Sequence, residues 1–176
     1  MKARIITETE RLVLRELTDA DVEVYFQLAT HPDVIRHIPV PVPAGVEEAL
    51  ALMRRRRVSD YEALGFGRWA CVLKATGEVA GWSGPRLLPE VGEVELGYRF
   101  LPPHWGKGLA TEAGAAVLRH WFGPMGRGRI IALVDPANVA SANVVRKLGF
   151  RNTGGIEITG HRVDRWLAEA SCPPSS

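Results

Sequence analysis

Residues 93–113 read EVELGYRFLPPHWGKGLATEA. Glu93 and Glu95 alternate with Val94, Leu96 and Tyr98, the period-two pattern of a strand. Pro102-Pro103 cannot continue a ladder and stops it. A glycine-containing turn follows, Trp105-Gly106-Lys107-Gly108, and then Leu109, Ala113, Val117 and Trp121 recur every four residues, which predicts a helix over 106–122. Gly106 and Gly108 carry no β-carbon, so a ligand can come close to their backbone. The first N–H groups of the helix have no partner within it, and the helix dipole favours negative charge there. Strand, glycine turn and helix start therefore form an anion site suited to phosphate or pyrophosphate, to which Lys107 adds a mobile positive charge. A glycine-capped helix with no ligand has the same spacing. The pattern is neither a Walker P-loop, whose Gly-x-x-x-x-Gly-Lys-Ser/Thr is absent, nor a three-glycine dinucleotide fingerprint.

Outward from this stretch the chain alternates strand and helix signals. Residues 10–15 (ERLVLR) read as a strand. Thr18-Asp19-Ala20-Asp21 is a capping-box-like start for a helix carrying Val22, Phe26 and Ala29. Pro32 interrupts it, and a short helix runs towards Ile38. Three prolines within residues 39–43 give a stiff, extended loop. Residues 47–58 are helical. Residues 67–73, 79–85 and 92–100 read as three successive strands. After the 106–122 helix come a strand at 129–134, a helix at 137–148 closed by Gly149, and strands at 150–158 and 161–167. One mixed α/β domain over residues 1–176 results, with its core at about 7–168 and a frayed tail at 171–176.

Composition agrees with a globular chain: 176 residues, 46% hydrophobic and 24% charged. Such a length buries a full core without staples. No stretch reaches the roughly 20 apolar residues of a membrane span, and residues 1–10 lack the apolar run of a secretory signal. Net charge is +2, from 22 basic and 20 acidic residues, too balanced to point to nucleic acid. Only Lys2, Lys74, Lys107 and Lys147 are lysines. The Arg54-Arg55-Arg56-Arg57 run reads as the solvated face of a helix or as a docking patch for an acidic partner. Cys71 sits in an apolar run as a small hydrophobe, and with Cys172 it makes neither a metal-ligand spacing nor a disulfide framework. A reducing cytoplasm is the expected compartment. His31, His37, His120 and His161 lack partners at ligand spacing, so no metal is expected. His104 shapes the turn it precedes. Trp69 and Trp82 read as core or pocket wall.

Trp105-Gly106-Lys107-Gly108-Leu109-Ala110 resembles the Arg/Gln-x-x-Gly-x-Gly/Ala motif of the GCN-five-related N-acetyltransferases, the GNAT superfamily. The form Trp-Gly-Lys-Gly-x-Ala-Thr-Glu-Ala is similar to its RimJ/RimL branch, in which Trp replaces the usual Arg or Gln. Residues 9–15 (TERLVLR), 94–98 (VELGY), and 138–141 (NVAS) through 147–150 (KLGF) resemble further segments of that branch in family order. The resemblance implies a GNAT acyl-CoA N-acyltransferase fold: a mixed, mostly antiparallel sheet of six to seven strands, its two central strands splayed, flanked by about four helices. It implies an acetyl-CoA-dependent N-acetyltransferase, with an amine acceptor as the second partner. A non-catalytic CoA-binding module is the alternative, and dimers occur in the branch.

The same resemblance implies roles. The pantetheine arm would bond the backbone of Phe100 and Leu101. The pyrophosphate would meet Trp105, Gly106, Lys107, Gly108, Leu109 and Ala110, with the Thr111 hydroxyl beside them. Asn138 and Asn143 match cofactor-contacting positions, and Asn138 also reads as a helix N-cap. An alkylammonium must lose a proton before it attacks a thioester, which calls for a base. Glu95 is the first candidate and Glu93 the second, because residues two apart share one strand face; both also fit a solvated sheet face. Ser141 falls where the family places the thioester end, as a donor to the sulfur or as a plain first-turn residue. Many members use a tyrosine as this acid, but Tyr25, Tyr61 and Tyr98 all lie far from the late helix in sequence.

Overall fold

A computed structural model describes residues 3–38, 41–158 and 160–170. The chain opens with a hairpin. β1 (Ile5–Glu8) pairs antiparallel with β2 (Leu12–Glu16), whose Leu12 and Leu14 are fully buried on one face. A 3-10 turn at Asp19–Asp21 leads into α1 (Val22–Thr30), followed by the single turn of α2 (Pro32–Ile35) and by α3 (Val46–Arg56). α3 runs on into a π-helical turn, Arg57–Glu62. A meander of β3 (Trp69–Leu73), β4 (Val79–Leu88) and β5 (Glu93–Phe100) follows. Then come α4 (Leu109–Phe122), β6 (Arg129–Val134), α5 (Val139–Lys147), β7 (Arg151–Ile158) and β8 (His161–Glu169).

The eight strands form one sheet in the order β1-β2-β3-β4-β5-β6-β8-β7. The described residues thus hold eight strands and five α-helices, where the sequence reading expects six or seven and about four. The extra strand, β1, buries none of its residues fully and sits at the sheet edge, so it leaves little hydrophobic pattern to read. The one turn of α2, which the sequence reading places after Pro32, accounts for the fifth helix.

Every strand pair is antiparallel except β5 with β6, which are parallel and meet in register only at Glu95 and Ile131. Past that point β5 runs on to Phe100 beside β4, and β6 to Val134 beside β8, without pairing with each other, so the centre of the sheet splays open. One sheet face carries α4, where Leu96, Phe100, Ala113, Val117, Trp121 and Val145 pack into the core. Trp69 and Cys71 belong to that core too; burial pushes the Cys71 thiol well up, as suits an inert small hydrophobe. Cys172 and the 171–176 tail lie outside the described residues. Among the described residues no helix is long and apolar enough to cross a membrane.

The arginine run does not lie on one solvated face. Arg54 is exposed and reaches Asp19 at 2.7 Å. Arg57 turns inward to donate to the Leu17 carbonyl at 3.0 Å, and Arg56 looks into the central cleft. Four consecutive helical residues sweep a full turn, so one run cannot share one face.

Asp21 anchors the start of the helical layer. Its side chain is 4% exposed, and its two oxygens each accept an Arg15 guanidinium N–H at 2.7 Å. The Thr18 N–H donates to the same carboxylate at 2.7 Å. Burial works to raise the Asp21 carboxyl, but these donors outweigh it and hold it below the usual carboxylate range. A depressed folded value stabilises the protein above the unfolded value and ceases to as pH falls through the folded one. Asp21→Asn is expected to cost about 3 kcal/mol at pH 7, because it leaves Arg15 without its counter-charge. Denaturant titrations at pH 7 and pH 3 check this: the gap between wild type and variant should narrow at the lower pH.

Candidate active site

The splay between β5 and β6 opens into a cleft of about 1120 Å³. The N-terminus of α4 and the first turn of α5 bound one end, and α1, α3 and the chain after α2 bound the other. Gly106, Gly108, Leu109, Ala110 and Thr111 line it, as do Trp105 and Phe100.

The glycine turn is built by backbone sterics. Pro102–His104 form a 3-10 turn, then Gly106 and Gly108 take φ of +71° and +75°, a region that side chains with a β-carbon rarely adopt. Those two left-handed residues are why α4 starts at Leu109 and not at 106. At that end the Glu112 N–H bonds the Gly108 C=O at 3.0 Å. The N–H groups of Leu109, Ala110 and Thr111 are therefore unpaired by helix geometry and open to an anion in the cleft.

Main-chain groups of three residues assigned to the cofactor on resemblance have partners within the protein. The Leu101 N–H donates to Ala80 at 3.0 Å and its carbonyl accepts His104 N–H at 2.9 Å, so both its main-chain groups are taken. Alternation along β5 turns Phe100 to the opposite side, towards β6, but the Trp105 indole N–H already donates to the Phe100 carbonyl at 2.6 Å. That leaves the Phe100 N–H. Lys107 is exposed and outside the cleft lining; its carbonyl accepts from Arg11 Nη1 at 2.9 Å.

Arg11 is a supporting residue that sequence reading misses. Its Nε donates to Glu112 at 2.6 Å, and the Thr9 hydroxyl donates to the other oxygen of the same carboxylate. The start of β2 is thereby tied to the glycine turn and the first turn of α4. The partners lie about a hundred residues apart, so no local signal marks them.

On α5, Asn138 caps the helix, its Oδ1 accepting Ser141 N–H at 3.0 Å. Asn143 Oδ1 accepts from Arg146 at 2.7 Å. Asn138, Ser141 and Asn143 all line the cleft. Ser141 meets a partner that sequence distance concealed: Tyr98 Oη lies 2.9 Å from Ser141 Oγ. Burial pushes the Tyr98 phenol up to about 12, against the opposing Ser141 hydrogen bond, so it keeps its proton at neutral pH. Tyr98 is 43 residues from Ser141 in sequence, and the splay of β5 and β6 closes that distance.

The two glutamates part company. Glu95 faces the cleft, where Arg68 Nη2 donates to its Oε2 at 2.8 Å and both side chains are 15% exposed. Arg68 reaches it by lying across Gly97, where a β-carbon would stand only 1.4 Å from Arg68 Nη1. Glu93 does not reach the cleft. Its oxygens accept from Arg165 on β8 at 2.6 and 2.8 Å, and Arg129 on β6 stands 3.5 Å away. Those Arg165 hydrogen bonds chiefly hold the Glu93 carboxyl below its usual range. The residues share a strand face, but Glu93 lies before the splay, where β6 and β8 are close enough to claim it.

Comparison with known proteins agrees with this geometry. Residues 11–151 match the acetyltransferase (GNAT) domain family. The uncharacterized N-acetyltransferase YoaA of Bacillus subtilis (strain 168) is 32% identical over 150 residues, 85% of this chain and 84% of that one. The GNAT-family acetyltransferase structure from Bacillus anthracis superposes with a TM-score of 0.74 at 26% identity, covering 91% of this chain and 94% of that one. The ribosomal L7/L12 α-N-protein acetyltransferase RimL in complex with coenzyme A gives a TM-score of 0.77 at 19% identity over 94% and 98% of the two chains, a likeness of fold. With the family matched over most of its length and the splayed sheet, glycine turn and cleft in place, the chain belongs to the GNAT acetyltransferase family and is an N-acetyltransferase.

Proposed function

We propose that this enzyme moves the acetyl group of acetyl-CoA onto a primary amine by direct attack within a ternary complex, as a RimJ/RimL-like member working in a reducing cytoplasm. The observation that carries the reading is the Tyr98–Ser141 hydroxyl pair at 2.9 Å, which faces the same cleft as the unpaired N–H groups of α4 and the Glu95 carboxylate. A module that only bound CoA would have no use for a proton-donor pair there, so the catalytic reading is favoured over the binding one.

Acetyl-CoA supplies a thioester whose carbonyl carbon accepts the amine and whose sulfur departs. The N–H groups of Leu109, Ala110 and Thr111 would hold its pyrophosphate, with Gly106 and Gly108 putting no side chain in its way. The Phe100 N–H would orient the pantetheine arm. Asn138 keeps the first turn of α5 in place through its cap. Glu95 would hold the incoming ammonium and take its proton, directly or through water. Ser141 would give its proton to the departing sulfur and recover one from Tyr98.

Calorimetric titration with CoA and a free-thiol release assay over an amine panel test the reading. Saturable CoA binding with acetyl-dependent thiol release supports it; binding without release on any amine supports the module. Gly108→Val carries the cofactor part. A β-carbon at Gly108 meets only Arg11 Nη2, at 3.7 Å, so there is room for the side chain, but valine there is strained by the left-handed φ and places branched bulk where the phosphates would approach. CoA affinity should fall at least tenfold, about 1.4 kcal/mol. Unchanged affinity in the folded variant would falsify the assignment.

A further inference from the structure

Of the eight arginines that line the cleft, four from four segments stand close enough to repel one another: Arg56 at the end of α3, Arg68 just before β3, Arg86 on β4 and Arg99 on β5. The register of β4 against β5 sets Trp82 opposite Arg99, Gly84 opposite Gly97, and Arg86 opposite Glu95. These pairs share one face, with two glycines at its centre. Arg68 crosses that bare centre, and its guanidinium stacks on the Trp82 ring at 4.5 Å, with Arg99 at 5.3 Å from the same ring. Stacking satisfies the flat faces of the guanidiniums and leaves their N–H edges free.

The carboxylates do not match these cations. Of the acidic groups against the cluster, Glu95 is taken by Arg68, and Asp60 accepts from the Ser59 hydroxyl at 2.7 Å. Among the described residues, Arg68 Nη1 and Arg86 Nε are buried with no hydrogen-bond partner. Burial, reinforced by mutual repulsion, holds Arg56, Arg68 and Arg99 below the usual guanidinium value, Arg99 at about 10. Buried donors are almost always satisfied, and uncompensated buried cations are costly. A purely structural cluster would give each guanidinium its carboxylate. This one lines the cleft with guanidiniums that outnumber the carboxylates beside them, a setting suited to a carboxylate or phosphate held in two-point hydrogen bonds.

We propose that the acceptor is a compact zwitterion, a primary amine a few bonds from a carboxylate or phosphate, whose ammonium meets Glu95 and whose oxyanion is held by Arg86, Arg99 and Arg56. This rests on the acetyltransferase reading above. Directly opposed strand residues have β-carbons about 5 Å apart, so Glu95 and Arg86 can engage the two ends of one small molecule. Arg68 is a positioning residue: it fixes Glu95 and is itself fixed by Trp82 and by the missing side chain of Gly97. Polyamines and other polycations would meet four arginines and are disfavoured.

The test uses matched amines: glutamate against glutamine, glycine against glycinamide, phosphoethanolamine against ethanolamine, with spermidine as the polycation. kcat/KM is read by thiol release with wild type, Arg86→Gln and Arg86→Lys. Wild type should prefer at least one anionic member over its partner by tenfold or more, and the identity of the pair distinguishes carboxylate from phosphate. Arg86→Gln should erase that preference through KM, and Arg86→Lys should keep part of it. In parallel, CoA-loaded protein is titrated with glutarate and with inorganic phosphate. Saturable binding of one of them, weakened at least tenfold by Arg86→Gln, supports the site without any turnover. A neutral amine or spermidine used as well as the anionic members overturns the proposal, as does a preference untouched by Arg86→Gln. Anion binding with no transfer to any amine would keep the oxyanion site and overturn acetyl transfer, so the two failures read differently.

Discussion

Glu95→Gln is expected to lower turnover at neutral pH by about 10²-fold, the low end for removal of a general base. Glutamine keeps the shape, and its carbonyl can still accept from Arg68, which donates to Glu95 Oε2 at 2.8 Å. What disappears is the negative charge that would hold the incoming ammonium and receive its proton. An alkylammonium titrates near 10, on the order of a free lysine, so at neutral pH almost all of the acceptor arrives protonated. Raising the pH should restore part of the variant's rate as neutral amine accumulates in solution. Glu93→Gln is the control. Its carboxylate serves Arg165 and Arg129 outside the cleft, so turnover should stay near wild type while stability falls. The measurement is the pH–rate profile of the three proteins with one confirmed acceptor. A Glu95→Gln profile superimposable on wild type removes Glu95 from the mechanism. Impairment of Glu93→Gln alone would move the base's role two residues along the strand.

Local pattern carried a reading far where the physics is local. The strand at residues 129–134, the glycine turn and the cap at Asn138 all follow from neighbours within a few positions, and the structure has them. The anion-ready start of α4 was legible because glycine spacing and helix termini need no tertiary information. Two kinds of feature were not. One is the weakly buried element: Ile5–Glu8 has no fully buried residue, and only its pairing with β2 makes it a strand. The other is the contact made by topology. Glu93 and Glu95 look equivalent on one strand face, and only the point at which β5 leaves β6 separates them. Nothing in local sequence shows that the Leu101 backbone bonds Ala80 and His104. Arg11 and Glu112, like Arg68 and Glu95, are joined across long sequence distances that no spacing rule spans. The arginine run misled for a geometric reason, since a helix distributes four consecutive side chains around its axis. The site is thus half written in local sequence, in the turn proposed to hold the cofactor, and half in the order of strands, which gathers the groups proposed to handle the acceptor and the protons.

Ser141→Ala is expected to lower kcat by roughly 10²-fold, the low end for loss of a general acid, with CoA affinity within about a factor of two of wild type. The separation follows from when the hydroxyl acts. Its proposed partner is the sulfur that gains charge only as the thioester breaks, so the interaction belongs to the transition state and not to the bound cofactor. The substitution should leave α5 intact, because Asn138 caps it through the Ser141 main-chain N–H at 3.0 Å and not through the hydroxyl. Tyr98→Phe removes the proton supply behind Ser141 and should cost less, since Ser141 can still donate once and recover from water. The two groups are in contact at 2.9 Å; if they act as one donor, as proposed, the double variant should be little slower than Ser141→Ala alone, a non-additivity seen when residues work as a unit. Burial raises the Tyr98 phenol to about 12, so the pair holds its proton through the mildly alkaline range. The wild-type rate should accordingly show no fall from loss of the acid up to about pH 10. Steady-state kinetics, CoA titrations and the alkaline limb of the pH profile check all three statements. Ser141→Ala with normal kcat and weakened CoA binding would make Ser141 a cofactor ligand. A double variant whose loss is the product of the single losses would mean that Tyr98 and Ser141 donate independently.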